Sequence, residues 1–142
     1  MAATASAHLT HVALFVENVA RTVEFYQKFA GLHVVHERVD DNVPVAWLSE
    51  QKVNPHFVIV TIQMTPAGPT MPPNMAHFGY DLPSRQAVDE MAKRAEAEGV
   101  LVQGPLYAGP IVGYFCMLRD PDGNLVEFSH GQPIDPERLG DR

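Results

Sequence analysis

The chain has 142 residues, enough for one compact domain, and its 46% hydrophobic and 19% charged residues are ordinary for a globular protein. A net charge of −7 without any lysine- or arginine-rich run argues against nucleic acid as a partner, because acidic surfaces repel phosphates. No apolar run approaches the roughly 20 residues of a membrane span, and residues 1–7 lack signal-peptide features, so we expect a cytoplasmic protein.

The first half of the chain predicts one strand, one helix and three further strands. Apolar and β-branched residues at 8–16 indicate the first strand. Asn18 is placed to cap a helix that runs through Phe29 and ends at Gly31. Three strand-like segments follow, at 32–39, 43–49 and 56–64.

A proline-rich segment at 65–74 (TPAGPTMPPN) can continue neither a strand nor a helix, so it predicts a linker. The pattern then restarts with a strand at 75–82 and a helix that Ser84 caps and Gly99 closes. Three more strands are predicted at 100–107, 112–119 and 124–130, and the polar tail at 131–142 is expected to be peripheral. The single cysteine, Cys116, stands among apolar strand residues and is expected to be an inert, buried thiol.

The two halves repeat each other. His11 and His77 each lie seven residues before their helix cap, Asn18 or Ser84. We therefore predict an α+β fold within one domain, 1–142, built from two βαβββ modules at about 8–64 and 75–130. The modules are expected to form an open, barrel-like mixed sheet around a metal site.

The repeated histidines are candidate metal ligands, since equivalent places in paired repeats bring side chains together. Glu127 lies in the last strand between Val126 and Phe128, where a charged carboxylate needs water or a cation beside it. Two imidazoles and one carboxylate suit divalent iron, manganese, nickel or zinc, with positions left open for a substrate.

Three segments resemble the vicinal-oxygen-chelate superfamily, which includes glyoxalase I, fosfomycin-resistance enzymes, extradiol dioxygenases and metal-free bleomycin-binding proteins. They are HVALFVENVARTVEFYQKFAGL (11–32), MAHFGYDL (75–82) and RDPDGNLVEF (119–128). The resemblance implies that His11, His77 and Glu127 bind one divalent metal ion and that the substrate is a small molecule. Glu127 is also the first catalytic candidate, and no residue is assigned to an organic cofactor.

The sequence departs from the glyoxalase I pattern, which has a fourth ligand in the last strand of the first module. Fifty residues after His11 stands Thr61, a poor ligand, with Gln63 or Glu50 as replacements. The three-ligand pattern instead resembles extradiol dioxygenases and fosfomycin-modifying enzymes. Tyr114, or alternatively Tyr107, is a candidate pocket tyrosine.

These observations favour a metal-dependent enzyme with extradiol dioxygenase-like chemistry, and iron(II) ranks ahead of manganese, nickel and zinc. The alternatives are a glyoxalase-type lyase or isomerase, and a non-catalytic small-molecule binding or resistance protein. Relatives are commonly dimers, so the resemblance implies a homodimer. The linker permits module pairing within one chain or swapped between two chains.

Overall fold

A computed structural model describes residues 9–64 and 77–132. The chain divides into two compact units, Met1–Gly68 and Pro69–Arg142. The expected linker at 65–74, the first residues of two predicted strands and all but the start of the predicted tail lie outside the described residues. That the two units form a single domain stays a prediction.

Each unit has the predicted βαβββ order. Unit one contains β1 (His11–Val16), α1 (Val19–Ala30), β2 (His33–Asp40), β3 (Val43–Ser49) and β4 (Val58–Gln63). Unit two contains β5 (His77–Asp81), α2 (Arg85–Ala97), β6 (Leu101–Tyr107), β7 (Tyr114–Arg119) and β8 (Leu125–His130). The predicted α+β class with two modules is confirmed, and each module has its own four-stranded mixed sheet.

The two sheets share one topology. Their strand orders are β1-β4-β3-β2 and β5-β8-β7-β6. In each, the first and last strands of the unit pair in parallel, and the other neighbours pair antiparallel. The last strand of each unit, β4 or β8, therefore lies in the interior of its sheet, with a hydrogen-bonded strand on either side.

Both predicted helix caps are present. The Asn18 side chain accepts from Arg21 N, and α1 ends at Gly31, whose φ of 65° is the left-handed conformation that glycine adopts at little cost. The Ser84 side chain accepts from Ala87 N at the start of α2. Within the described ranges no helix is long and apolar enough to cross a bilayer.

Each helix packs on one face of its own sheet. In unit one, Val16, Val19 and Ala46 form a buried cluster, with Leu14 packed against it. In unit two, Cys116 Sγ lies 4.0 Å from Val88 O of α2. We call this side of each sheet its helix face.

Cys116 is fully buried, and burial raises the pKa of its thiol to about 12. The thiol therefore stays protonated in the folded protein, whereas only the thiolate attacks disulfide reagents. At about pH 9 we expect no reaction of the native protein with such a reagent, and one thiol titrated after unfolding in guanidinium. Rapid reaction of the native protein would contradict the buried, inert thiol predicted from the sequence.

Candidate metal centre

His77 and Glu127 lie side by side in unit two. β5 and β8 run parallel, with His77 opposite Leu125 and Gly79 opposite Glu127. Since paired residues point to the same side of a sheet, both side chains emerge on one face. His77 Nε2 lies 3.1 Å from Glu127 Oε2.

Glu127 is buried, with 4% of its surface exposed, and each carboxylate oxygen has a partner. Oε2 faces His77, and Oε1 accepts a hydrogen bond from Gln132 Nε2 at 3.0 Å. The sequence analysis placed Gln132 in a peripheral tail, so its contact with Glu127 corrects that expectation. No local motif marks Gln132, because the contact depends on where the chain leaves β8.

The opposite side of the sheet from α2 is here called the Glu127 face and includes His77, Gly79, Met117 and Glu127. β7 pairs antiparallel with β8, with Met117 opposite Glu127 and Cys116 opposite Phe128. Because Cys116 lies on the helix face, Met117 and Glu127 point to the other side. His77 and Gly79 on this face are exposed, but the Glu127 carboxylate is buried and, if ionised, requires compensating partners.

Gly79 keeps the Glu127 face clear beside the carboxylate. A Cβ at this position would lie 3.4 Å from Glu127 Cβ and 4.0 Å from Glu127 Oε1. These are ordinary van der Waals distances, so alanine fits, but a larger side chain would lie against the carboxylate.

Replacing Gly79 by valine should therefore weaken divalent metal binding more than replacing it by alanine. The added methyl groups would crowd Glu127, while β-branched residues are well suited to a strand. Isothermal titration of both variants with Zn²⁺ or Mn²⁺ measures the difference, and circular dichroism checks the fold. Equal affinities for the two variants would show that Gly79 does not border the metal site.

His11 occupies the equivalent place in unit one. It opens β1, opposite Val58 of β4, as His77 opens β5 opposite Leu125. Its side chain is exposed, and Nδ1 lies 2.9 Å from Thr10 Oγ1. Even-numbered residues of β1, such as Val16, lie on the helix face, so His11 lies on the opposite side.

The position in unit one that matches Glu127 is Val60. Ala13 pairs with Val60 in the same register in which Gly79 pairs with Glu127. The sequence analysis counted fifty residues from His11 to Thr61, but the strand pairing shifts the match by one residue, and a shift of one reverses the face. Valine has no ligand atom, so this position supplies no fourth metal ligand.

Thr61 and Gln63 are both on the helix face of unit one. Thr61 is fully buried, and its hydroxyl donates to Ala46 O at 2.9 Å. Gln63 Oε1 accepts from Val19 N at 3.1 Å and so satisfies a free amide at the start of α1. Neither side chain shares a face with His11. Glu50 is exposed in the bend after β3.

Tyr114 lies on the helix face of unit two, away from Glu127. Its hydroxyl donates to Asp89 of α2, and this hydrogen bond and the negative charge of Asp89 raise the tyrosine pKa. The Arg85 guanidinium lies 5.2 Å from the Tyr114 ring centroid and 4.8 Å from that of Tyr107. These contacts tie α2 to the β6–β7 hairpin, so we assign Tyr114 no role in the proposed site.

Among residues 9–64 and 77–132, no group of three or more His, Cys, Asp or Glu side chains is arranged to hold a metal ion. The structure does bring together the imidazole of His77 and the carboxylate of Glu127. An imidazole nitrogen and a carboxylate are ligands that divalent transition metals accept. This pair could therefore supply two of the three protein ligands expected for the site.

The repeated βαβββ fold is shared with a known superfamily of proteins. The sequence profile of the Glyoxalase/Bleomycin resistance protein/Dioxygenase superfamily matches residues 8–128, and the chain belongs to this superfamily. The Pseudomonas aeruginosa protein PA2024 is 44% identical over 133 residues, which is 90% of this chain and 91% of that protein. The Salmonella typhimurium virulence protein STM3117 is 27% identical over 123 residues, 85% of this chain and 82% of that protein.

Solved structures share the fold at low sequence identity. Leishmania major glyoxalase I superposes with a TM-score of 0.73 at 16% identity, over 96% of this chain and 95% of that one. The fosfomycin resistance protein FosX of Listeria monocytogenes, complexed with Mn(II) and sulfate, gives a TM-score of 0.71 at 18% identity, over 95% and 99%.

Proposed function

We propose that this protein is a metal-dependent enzyme in which His11, His77 and Glu127 bind one divalent ion and a small-molecule substrate binds through two adjacent oxygen atoms. The observation that carries the proposal is the pairing of His77 with buried Glu127 on one face, at 3.1 Å. His11, at the matching place in the repeat, supplies the third ligand from the same chain or from a partner chain.

The protein residues of this site have distinct tasks. His77 and Glu127 hold the ion, Gly79 leaves space beside it, and Gln132 orients the carboxylate. The bound ion would act as a Lewis acid that stabilises negative charge on substrate oxygens. Burial of Glu127 keeps water away from the carboxylate, which strengthens its attraction for a cation.

Within this class, Val60 favours a site with three protein ligands. An octahedral ion with three protein ligands keeps up to three positions open, enough for a bidentate catechol and one further small ligand. We therefore propose an iron(II)-dependent enzyme that uses dioxygen as the oxidant to cleave aromatic rings bearing adjacent hydroxyls, with both oxygen atoms entering the ring-opened product. Four protein ligands would leave two positions, so a glyoxalase-type lyase or isomerase ranks lower.

A second candidate is a manganese-dependent enzyme that modifies a phosphonate. A FosX variant complexed with Mn(II) and 1S,2S-dihydroxypropylphosphonic acid superposes over 95% of this chain with a TM-score of 0.72. That ligand carries adjacent oxygens, as the proposed substrate class does. A non-catalytic binding protein would bind a small molecule but turn over none of these compounds.

One panel of assays tests these alternatives. The protein is loaded without oxygen with Fe²⁺, Mn²⁺, Ni²⁺ or Zn²⁺ in turn, and catechols are added before oxygen. A yellow ring-cleavage product with Fe²⁺ supports the dioxygenase. Consumption of fosfomycin with Mn²⁺ would instead support the phosphonate-modifying enzyme. Consumption of methylglyoxal hemithioacetal with Ni²⁺ or Zn²⁺ would support the glyoxalase-type enzyme. Absence of metal binding by elemental analysis would overturn the proposed class.

We also expect a homodimer in solution. Two βαβββ units joined by the linker predicted from the sequence could pair within one chain or exchange between two, and a dimer would allow either arrangement. Light scattering should give a mass near twice the 15.7 kDa of the chain. A mass equal to one chain at high concentration would contradict this expectation.

A further inference from the structure

Gln132 connects Glu127 to the loop between β6 and β7, residues 108–113. Its Nε2 atom donates to Glu127 Oε1 at 3.0 Å and lies 3.3 Å from Val112 O, the second acceptor. A side-chain amide nitrogen carries two hydrogens, so both bonds form at once. One half-buried side chain thus joins the candidate metal ligand to a loop distant in sequence.

The backbone of this loop also packs closely on the end of β8. A Cβ at Gly113 would lie 2.5 Å from His130 O and 3.0 Å from Gln132 N. Within the loop, Ala108 N donates to Gly113 O at 2.9 Å, and Gly113 N donates to Gly109 O at 2.7 Å. The loop is therefore closed on itself and seated against the residues that position Gln132.

The bond from Gln132 divides the two oxygens of Glu127 between different tasks. Oε1 is occupied by the amide, whereas Oε2 is turned toward His77. Because Glu127 is buried, few water molecules compete for either oxygen, and the carboxylate orientation depends on these two partners.

We propose that Gln132 is a positioning residue that holds Glu127 as a one-oxygen metal ligand and couples the state of the 108–113 loop to metal binding. The inference rests on the proposed function and deepens it. Hydrogen bonds to ligating carboxylates set ligand orientation and tune affinity for the ion. Through Val112, any order that the ion imposes on Glu127 is transmitted to the loop.

The first test measures metal affinity of Gln132→Leu, which keeps the size of the side chain but removes the amide. We expect the dissociation constant for Zn²⁺ or Mn²⁺ to rise roughly tenfold to a hundredfold. The matched control is Gln86→Leu, because Gln86 Nε2 donates to Glu90 Oε1 at the same distance, 3.0 Å, and both side chains are exposed on α2. The control should bind metal as the native protein does.

The second test needs no substrate and no activity. Hydrogen exchange at the amides of Ala108 and Gly113, which close the loop, reports its opening. Zn²⁺ should slow this exchange in the native protein and in Gln86→Leu, and the slowing should be lost in Gln132→Leu at saturating Zn²⁺. A purely structural role for Gln132 would change exchange equally with and without metal.

The outcomes separate this inference from the proposed function. If the native protein binds no divalent ion, both the proposed function and the positioning role of Gln132 are overturned. If the native protein binds metal and Gln132→Leu binds equally tightly with the same slowing at the loop, the positioning role is overturned. Should Gln132→Leu fail to fold by circular dichroism, Gln132→Ala replaces it, and exchange in the native protein alone still decides whether metal reaches the loop.

Discussion

Replacing Glu127 by glutamine should lower affinity for divalent ions by more than roughly 100-fold. This loss is larger than the one typical when only a hydrogen-bond partner of a ligand is replaced. The substitution removes the only anionic ligand proposed for the site. It also leaves a single oxygen acceptor, so the new NH2 group must face either Gln132 Nε2 or His77. Isothermal titration with Zn²⁺ and Mn²⁺ measures the change.

The matched control for this prediction is Glu90→Gln. Glu90 accepts from Gln86 Nε2 at 3.0 Å, as Glu127 accepts from Gln132, but it is exposed on α2. Its substitution should leave metal binding unchanged. If Glu127→Gln folds and binds metal as tightly as Glu90→Gln, Glu127 is not a ligand.

His11→Ala is informative in the same titration because His11 belongs to the other unit. We expect weak binding in this variant and near-native binding in His33→Ala, whose histidine is also exposed in unit one. Native affinity in His11→Ala would restrict the site to residues of unit two.

Local features of the fold could be predicted from the sequence because short-range chemistry determines them. Asn18 and Ser84 accept from backbone amides three residues ahead, so each cap depends only on its own neighbourhood. His77 and Glu127 lie in the first and last strands of the second unit, where the sequence pattern put them, but their contact depends on the parallel register of β5 with β8.

The fourth-ligand position could not be predicted by counting residues. From His11 to its partner Val58 the chain advances 58 − 11 = 47 residues, and from His77 to Leu125 it advances 125 − 77 = 48. This single-residue difference between two connections moves the match from Thr61 to Val60. Strand register is a property of the assembled sheet, so equal spacing in sequence does not ensure the same face.

Contacts between distant segments were missed for a related reason. From the sequence, Tyr114 is only an aromatic residue close to the last hairpin. In the structure its side chain lies on the helix face and its hydroxyl donates to Asp89 of α2. Gln132 carries no recognisable motif, and its role depends on the path of the chain beyond β8.

Replacing Gly113 by alanine should destabilise the protein by roughly 3 kcal/mol or more, through backbone strain and overlap together. Its φ of 80° is in the left-handed region, which by itself costs an alanine about 1 kcal/mol. The added Cβ would also lie 2.5 Å from His130 O and 2.8 Å from Gly131 C, and backbone atoms cannot move aside as a flexible side chain does.

Gly109→Ala separates the two contributions. Gly109 has a φ of 92°, but a Cβ there would meet nothing within 4 Å. We expect this control to lose only about 1 kcal/mol, the cost of the backbone conformation. In thermal unfolding the melting temperature should fall by about 2–4 °C for each kcal/mol lost, so Gly113→Ala should melt several degrees below Gly109→Ala. Equal melting temperatures would mean that the loop does not pack against the end of β8 as closely as described, and the coupling proposed through Gln132 would lose its structural basis.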